Sequence, residues 1–331
     1  MPPLRAIARA LILAALLVVV NFLLPRALPG DPLAATLSGN AAAPVQLSAA
    51  ARADLAAYYG LDRPAAEQLE RYIAGLARGD LGRSIVAQRP VADVIAGRLG
   101  WSVVLAGLAL VLAAIAGTLL GVRAAVRRGR PGERALTGAL VFVGSLPEFV
   151  TGLVLLALFA VWLRILPASG AQTPFATCGG LGALAGCAVD VVRHLVLPVA
   201  TLTVAHVPGF YLVARAAALA ERDSAYLVAA RARGLGELRI ALGHLGRNAI
   251  VPVAALFGAR VGLVVGGVVV VETLFAYPGI GQLAFESLAA RDYPVLQAVF
   301  LLTGLAVIAA NAAADLLLPR LDPRLRVAVA A

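Results

Sequence analysis

The side chains able to do chemistry are few, and their spacing matches no catalytic set. Histidine occurs three times, as His194, His206 and His244, and cysteine twice, as Cys178 and Cys187. There is no His-Glu-x-x-His pair to hold zinc and no Gly-x-Ser-x-Gly elbow to present a nucleophilic serine. All 28 basic residues are arginine, so no Gly-Lys pair exists to cradle nucleotide phosphates. The chain is therefore expected not to be an enzyme and to need neither cofactor nor metal. The histidines read as structural polar contacts. Two cysteines in one glycine-rich stretch, if exported, suit a disulfide between Cys178 and Cys187 better than a zinc site, of which two thiols are half. What remains are ionisable residues in apolar surroundings: Glu148, Arg260 and Glu272. An ionisable group at bilayer depth costs about 2.5–3.5 kcal/mol on insertion scales. Each such residue either lines a polar pathway or makes a polar contact between helices.

The elements that position these residues are membrane spans. Hydrophobic residues make up 61% of the chain, only 14% are charged, and the mean hydropathy is +0.90. A soluble domain carries roughly a quarter charged residues. A spanning helix needs about 20 apolar residues, and six stretches qualify or come close. They are 11–24, 99–122, 135–163, 194–214, 249–271 and 293–314. The first could be a signal peptide, but Pro25 and Arg26 follow without a clean small-x-small site, which favours an uncleaved span. Pro147, beside Glu148, is expected to kink the third. Gly262, Gly266 and Gly267 suit close helix packing in the fifth.

Between the first two spans, residues 26–98 read as a cap of short helices. One is expected over 49–59, and a second from Pro64 with Leu69, Tyr72, Ile73 and Leu76 on one face. Charge sets the orientation. Arg5 and Arg9, the group Arg123, Arg127, Arg128, Arg130 and Arg134, the arginines of the central loop and those of the tail all fall on one side of a six-span chain. The positive-inside rule puts that side, with both termini, in the cytoplasm, so the cap and the cysteines face out.

The central loop is the most polar part of the C-terminal half. Tyr226, Leu227, Ala230 and Leu235 form a broken apolar stripe with arginines opposite, and Gly234 and Gly236 break the helix. A helix–glycine–helix element on the cytoplasmic face suits docking of a soluble partner; an ordinary basic loop that holds topology is the plainer alternative. Val228-Ala229-Ala230-Arg231-Ala232-Arg233-Gly234, closing on Asn248-Ala249-Ile250-Val251-Pro252, resembles the coupling loop of ABC importer permeases. Val228 stands where that loop's acidic residue belongs, and the gap to Pro252 is longer than the general pattern. Both departures, with Tyr226, Gly234-Leu235, His244 and Asn248-Ala249, are similar to the dipeptide/oligopeptide/nickel branch. Further strings resemble that branch: Leu61-Asp62-Arg63-Pro64, Gly79-Asp80-Leu81-Gly82-Arg83-Ser84, Ser145-Leu146-Pro147-x-Phe149, Arg291-Asp292-Tyr293-Pro294 and Leu321-Asp322-Pro323-Arg324. The most specific is Glu272-Thr273-Leu274-Phe275-Ala276-Tyr277-Pro278-Gly279-Ile280-Gly281.

The resemblance implies an all-α membrane protein of six transmembrane helices: a five-helix core like that of the methionine importer, an extra N-terminal helix and a small helical extracytoplasmic region. The expected divisions are residues 1–25, the cap at 26–98, a permease core at 99–318 holding a coupling loop at 219–247, and a tail at 319–331. It implies a bacterial cytoplasmic membrane, a second homologous permease, two separate ATPase subunits and an extracytoplasmic substrate-binding protein. Tyr226, Ala229, Ala230, Arg231, Arg233, Gly234 and Leu235 would meet the ATPase. Small peptides are the expected cargo, with nickel chelates and glutathione as alternatives. A self-sufficient secondary transporter or channel is the rival from another class. It would more often show internal repeats and paired intramembrane charges, which the sequence lacks.

Overall fold

The computed structural model describes residues 2–27, 64–173, 181–221 and 224–321. Among these the chain is helical throughout, with one isolated bridge between Arg83 and Pro90. In order the helices are α1 (Pro2–Ala27), α2 (Ala65–Ala77), α3 (Val91–Val126), α4 (Pro131–Ser145), α5 (Glu148–Leu156, continued by a wide π turn at Ala157–Trp162), α6 (Leu181–Glu221), α7 (Ala225–Ala232), α8 (Glu237–Ile240, then a π turn at Ala241–Leu245), α9 (Gly246–Leu274), α10 (Ile280–Ala289) and α11 (Tyr293–Leu321).

By length and composition, three of the described helices can each cross a bilayer: α3, α6 from Gly186, and α11 over Tyr293–Ala313. α4 and α5 qualify only as a pair, bent by 103°. α1 contributes a shorter apolar stretch, Ile7–Leu23, and α9 runs 29 residues. The described helices therefore give three crossings, or four with the bent pair, where the sequence predicts six. The sequence also predicts a kink at Pro147; the chain instead breaks into two helices there. Proline disfavours the helical conformation in the residue before it. Leu146 accordingly sits at φ −78°, ψ 137°, and Pro147 itself at ψ 143°.

Two boundaries also lie elsewhere than expected. α3 starts at Val91, not near 99, because Val91, Val94 and Ile95 bury themselves against Ile280, Leu283 and Ala284 of α10 and Val295, Leu296 and Val299 of α11. α6 starts at Leu181, inside the expected outer loop 164–193. The helix expected over 49–59 lies outside the described residues. The one expected from Pro64 is α2, and Gly79 beyond it turns at φ +77°.

The bundle's main core joins α3, α6 and α9 with residues of α7 and α8. α3 and α6 approach until their backbones touch. A methyl group on Gly117 would strike Tyr211 N and Val207 O, and one on Gly121 would strike Tyr211 O and Arg215 N. This Gly-x-x-x-Gly spacing is the known device for close helix contact in membranes. The close approach expected at Gly262, Gly266 and Gly267 falls where side-chain packing lies outside the described residues. α1 is pinned to the bundle by Asn21, buried within its apolar run. Asn21 Nδ2 donates to Tyr72 Oη and to the Gln297 carbonyl, both at 2.9 Å, and Gln297 Nε2 returns a bond to the Asn21 carbonyl at 3.1 Å. Leu11, Ile12, Val103, Ile115, Phe142 and Val154 are among the exposed apolar side chains that coat the outside, as a lipid-facing surface requires.

Candidate functional site

The segment between α6 and α9 is a short helix fastened at both ends. Leu227 and Ala230 of α7 point into the bundle core and are 0% and 5% exposed, beside Ile240, Ala241, Leu245 and Ala249. Tyr226, Val228, Ala229, Arg233 and Gly234 are exposed. The helix closes in a Schellman turn: Leu235 N donates to the Ala230 carbonyl at 3.2 Å, and Gly234 adopts φ +76°. Leu235 is half-buried against the core. Tyr226 Oη accepts from Asn248 Nδ2 at 2.8 Å and donates to Glu221 Oε2 at 3.0 Å, tying the end of α6 to the start of α9. The two ends of the resemblance, Tyr226 and Asn248, are thus in contact. Ala230, expected to face a partner, faces inward instead. The Arg231 side chain lies outside the described residues.

At the same end of the bundle, Glu133 opens α4 as a buried acid. Arg215 of α6 grips its Oε1 through Nε at 3.0 Å and Nη2 at 2.7 Å; Thr137 Oγ1 and Gly129 N complete its bonds. Thr137 also shares a 2.5 Å bond with Tyr211 of α6. In the sequence Glu133 reads only as the lone acid among the arginines between two spans. It lies in the first turn of α4, which Pro131 opens.

The three pathway candidates separate into two groups. Glu148 and Arg260 meet across His206. Arg260 Nη1 lies 2.7 Å from His206 Nδ1, and His206 Nε2 lies 3.8 Å from Glu148 Oε1. Three helices supply the cluster: Glu148 opens α5 at the sharp break, His206 lies near the middle of α6, and Arg260 lies halfway along α9. Arginine has no acceptor atom, so His206 Nδ1 must accept. The ring is then neutral with its proton on Nε2, facing Glu148. His206, expected to be a structural contact, stands between two residues singled out as lining. Sequence could not find the trio, because helical register across three separate spans is invisible in it.

Glu272 departs from expectation: it is fully buried and lines nothing. Its Oε1 accepts from Ser102 Oγ at 2.5 Å, and its Oε2 accepts from Gly281 N at 2.7 Å and Gln282 N at 3.2 Å. Ser102 Oγ in turn accepts from Ile280 N at 2.7 Å. Glu272 and Ser102 together satisfy the first free N–H groups of α10, where a negative charge is also favoured by the helix dipole. Gly279 and Gly281 exist for this cap. A methyl on Gly279 would overlap the Glu272 carboxyl group, and one on Gly281 would strike the Val269 backbone. Nearby, Asp292 accepts from Ser84 Oγ at 2.5 Å and from Ile85 N and Val86 N, each at 3.2 Å. Two strings of the family resemblance, around Ser84 and Asp292, therefore bind one another.

Of the disulfide pair, Cys178 lies outside the described residues, and Cys187 lies in the first turns of α6.

Residues 117–327 match the family described as "Binding-protein-dependent transport system inner membrane component". A protein of Brucella ovis named a peptide permease protein is 33% identical over 312 residues, 94% of each chain. The glutathione transport system permease protein of Escherichia coli K12 is 36% identical over 308 residues, 93% of each chain. The resemblance first seen in short strings thus extends over almost the whole length. This chain belongs to the family of inner membrane components of binding-protein-dependent transport systems, the permeases of ABC importers.

Proposed function

We propose that this chain forms half of the translocation pathway of a small-peptide importer in a bacterial cytoplasmic membrane. It pairs with a second homologous permease, docks on two ATPase subunits and receives solute from an extracytoplasmic binding protein. It comprises an N-terminal helix, an outer cap, a permease core that begins with α3 at Val91 instead of 99, and a cytoplasmic tail after α11. Both termini and the loop 219–247 lie in the cytoplasm. The arginine pattern supports that orientation, since Arg123, Arg127, Arg128, Arg130 and Arg134 are all exposed at the end of the bundle that carries α7.

The observation that carries the reading is the build of α7. Its inner face is locked into the core by Leu227 and Ala230, while Val228, Ala229, Arg233 and Gly234 stay on its surface. Such a helix passes a push from outside into the bundle instead of absorbing it. ATP binding and release then shift the population between outward- and inward-open states through differential contacts. Names borne by the relatives favour short peptides, with glutathione as a specific second candidate. A disulfide between Cys178 and Cys187 would brace the outer loop.

Affinity purification in mild detergent should recover a nucleotide-binding ATPase and a second permease of similar size with this chain. The reconstituted assembly should take up peptide only with ATP and binding protein. A chain that purifies alone and accumulates solute down an ion gradient would be a secondary carrier.

A further inference from the structure

The Glu148–His206–Arg260 cluster holds two formal charges among apolar helices, and they do not touch each other. Among the described residues no carboxylate lies within ion-pair distance of Arg260; its one hydrogen bond goes to a neutral imidazole nitrogen. Among the described residues Glu148 has only the ring's Nε2, at 3.8 Å, and its side chain is 32% exposed. Gly209 of α6 makes room for the guanidinium: a methyl there would fall 2.7 Å from Nη2. A charge within apolar helices of a membrane protein is costly unless it is paired or faces a polar cavity. The fork of Arg260 is suited to a planar carboxylate. The open carboxyl group of Glu148 accepts but cannot donate unless protonated. His206 keeps the two apart while linking them.

We propose that this cluster is a solute-anchoring site that reads both ends of a zwitterion, Arg260 taking the carboxylate of a short peptide and Glu148 its ammonium group. The inference rests on the peptide-importer reading above and adds the groups recognised. His206 is the positioning residue, holding Arg260 from one nitrogen and facing Glu148 from the other.

The test uses the permease assembled with its partner subunits in nanodiscs, without ATP or binding protein. Dissociation constants are measured for trialanine, trialanine C-terminal amide and N-acetyl-trialanine. Loss of one charge-assisted pairing should weaken binding by about tenfold or more. The wild type should prefer trialanine to both blocked forms. Arg260→Gln should lose its discrimination against the amide and keep it against the acetylated form; Glu148→Gln should do the reverse. If Arg260→Gln does not assemble with the partners, the partly exposed Glu148 arm decides. A wild type that binds none of the three, or all alike, overturns the site, as it would if the partner permease supplied the counter-ions. Variants that weaken all three peptides equally also overturn it, because that is the signature of a purely structural network. Failure of ATP-driven uptake strikes the importer reading instead, since no ATP enters the binding measurement.

Discussion

Asn248, at the start of α9, donates from Nδ2 to the hydroxyl of Tyr226 at 2.8 Å, and that hydroxyl donates onward to Glu221 at the end of α6. One phenol thus joins three helices where α7 projects. Tyr226→Phe keeps the ring and deletes both bonds. A net hydrogen bond contributes about 0.5–1.5 kcal/mol. The expected result is roughly a two- to tenfold fall in peptide taken up per ATP hydrolysed in proteoliposomes, with the assembly intact. An unchanged ratio would show that this tie does not transmit the stroke.

Gly234→Trp tests the docking surface. No atom lies within 4 Å of a Cβ placed there, so the bundle itself tolerates bulk; the left-handed φ of +76° adds about 1–2 kcal/mol of strain. Gly234→Ala carries the same strain without the indole. Uptake should drop at least about tenfold in the tryptophan variant while ATP hydrolysis continues, and by far less in the alanine variant. Normal uptake by Gly234→Trp would remove α7 from the ATPase interface.

Glu272→Ala leaves the N–H groups of Gly281 and Gln282 and the Ser102 hydroxyl without their acceptor, inside a site closed to water. Each unsatisfied buried donor costs about 1–3 kcal/mol. The purified protein should melt well below wild type or fail to accumulate. Glu272→Gln retains one acceptor oxygen and should fall between the two. Thermal melting in detergent reads the order, and equal melting of all three would mean the cap contributes little.

Gly121→Val probes the α3–α6 contact. The added side chain meets the Tyr211 carbonyl and Arg215 N, neither of which can rotate away. Overpacking of this kind costs about 1–3 kcal/mol. Displacing Arg215 should also loosen its grip on Glu133. Lower thermal stability is expected in Gly121→Val, whereas Gly107→Val, with open space around it, should melt like wild type.

How far the sequence could be read follows from the range of each interaction. Helices and their breaks are local: the stripe of α2, the stop at Gly79 and the glycine turn at Gly234 were all legible from neighbouring residues. Likewise, the strings around Tyr226, Ser84, Glu272 and Asp292 were visible as strings. Their meaning was not, because Ser84 answers Asp292 and Ser102 answers Glu272 across most of the chain. Glu272 misled for a physical reason: an acid at the end of an apolar run looks the same whether it faces a cavity or caps a helix. The depth of Glu133 and the meeting of Glu148 with Arg260 through His206 depend on rotation about helix axes, which no single span specifies. The Gly117-x-x-x-Gly121 spacing was present in the sequence, and it marks a close α3–α6 contact.

The cap on α10 also bears on how such a chain is made. Ser102 precedes Glu272 by 170 residues, so its hydroxyl waits through the synthesis of α4 to α8 and nearly all of α9 before its acceptor arrives. Contacts of such long sequence separation form late. The carboxyl group of Glu272 has all its donors only where α3 stands beside α10, so the cap closes a joint between the first and last parts of the bundle.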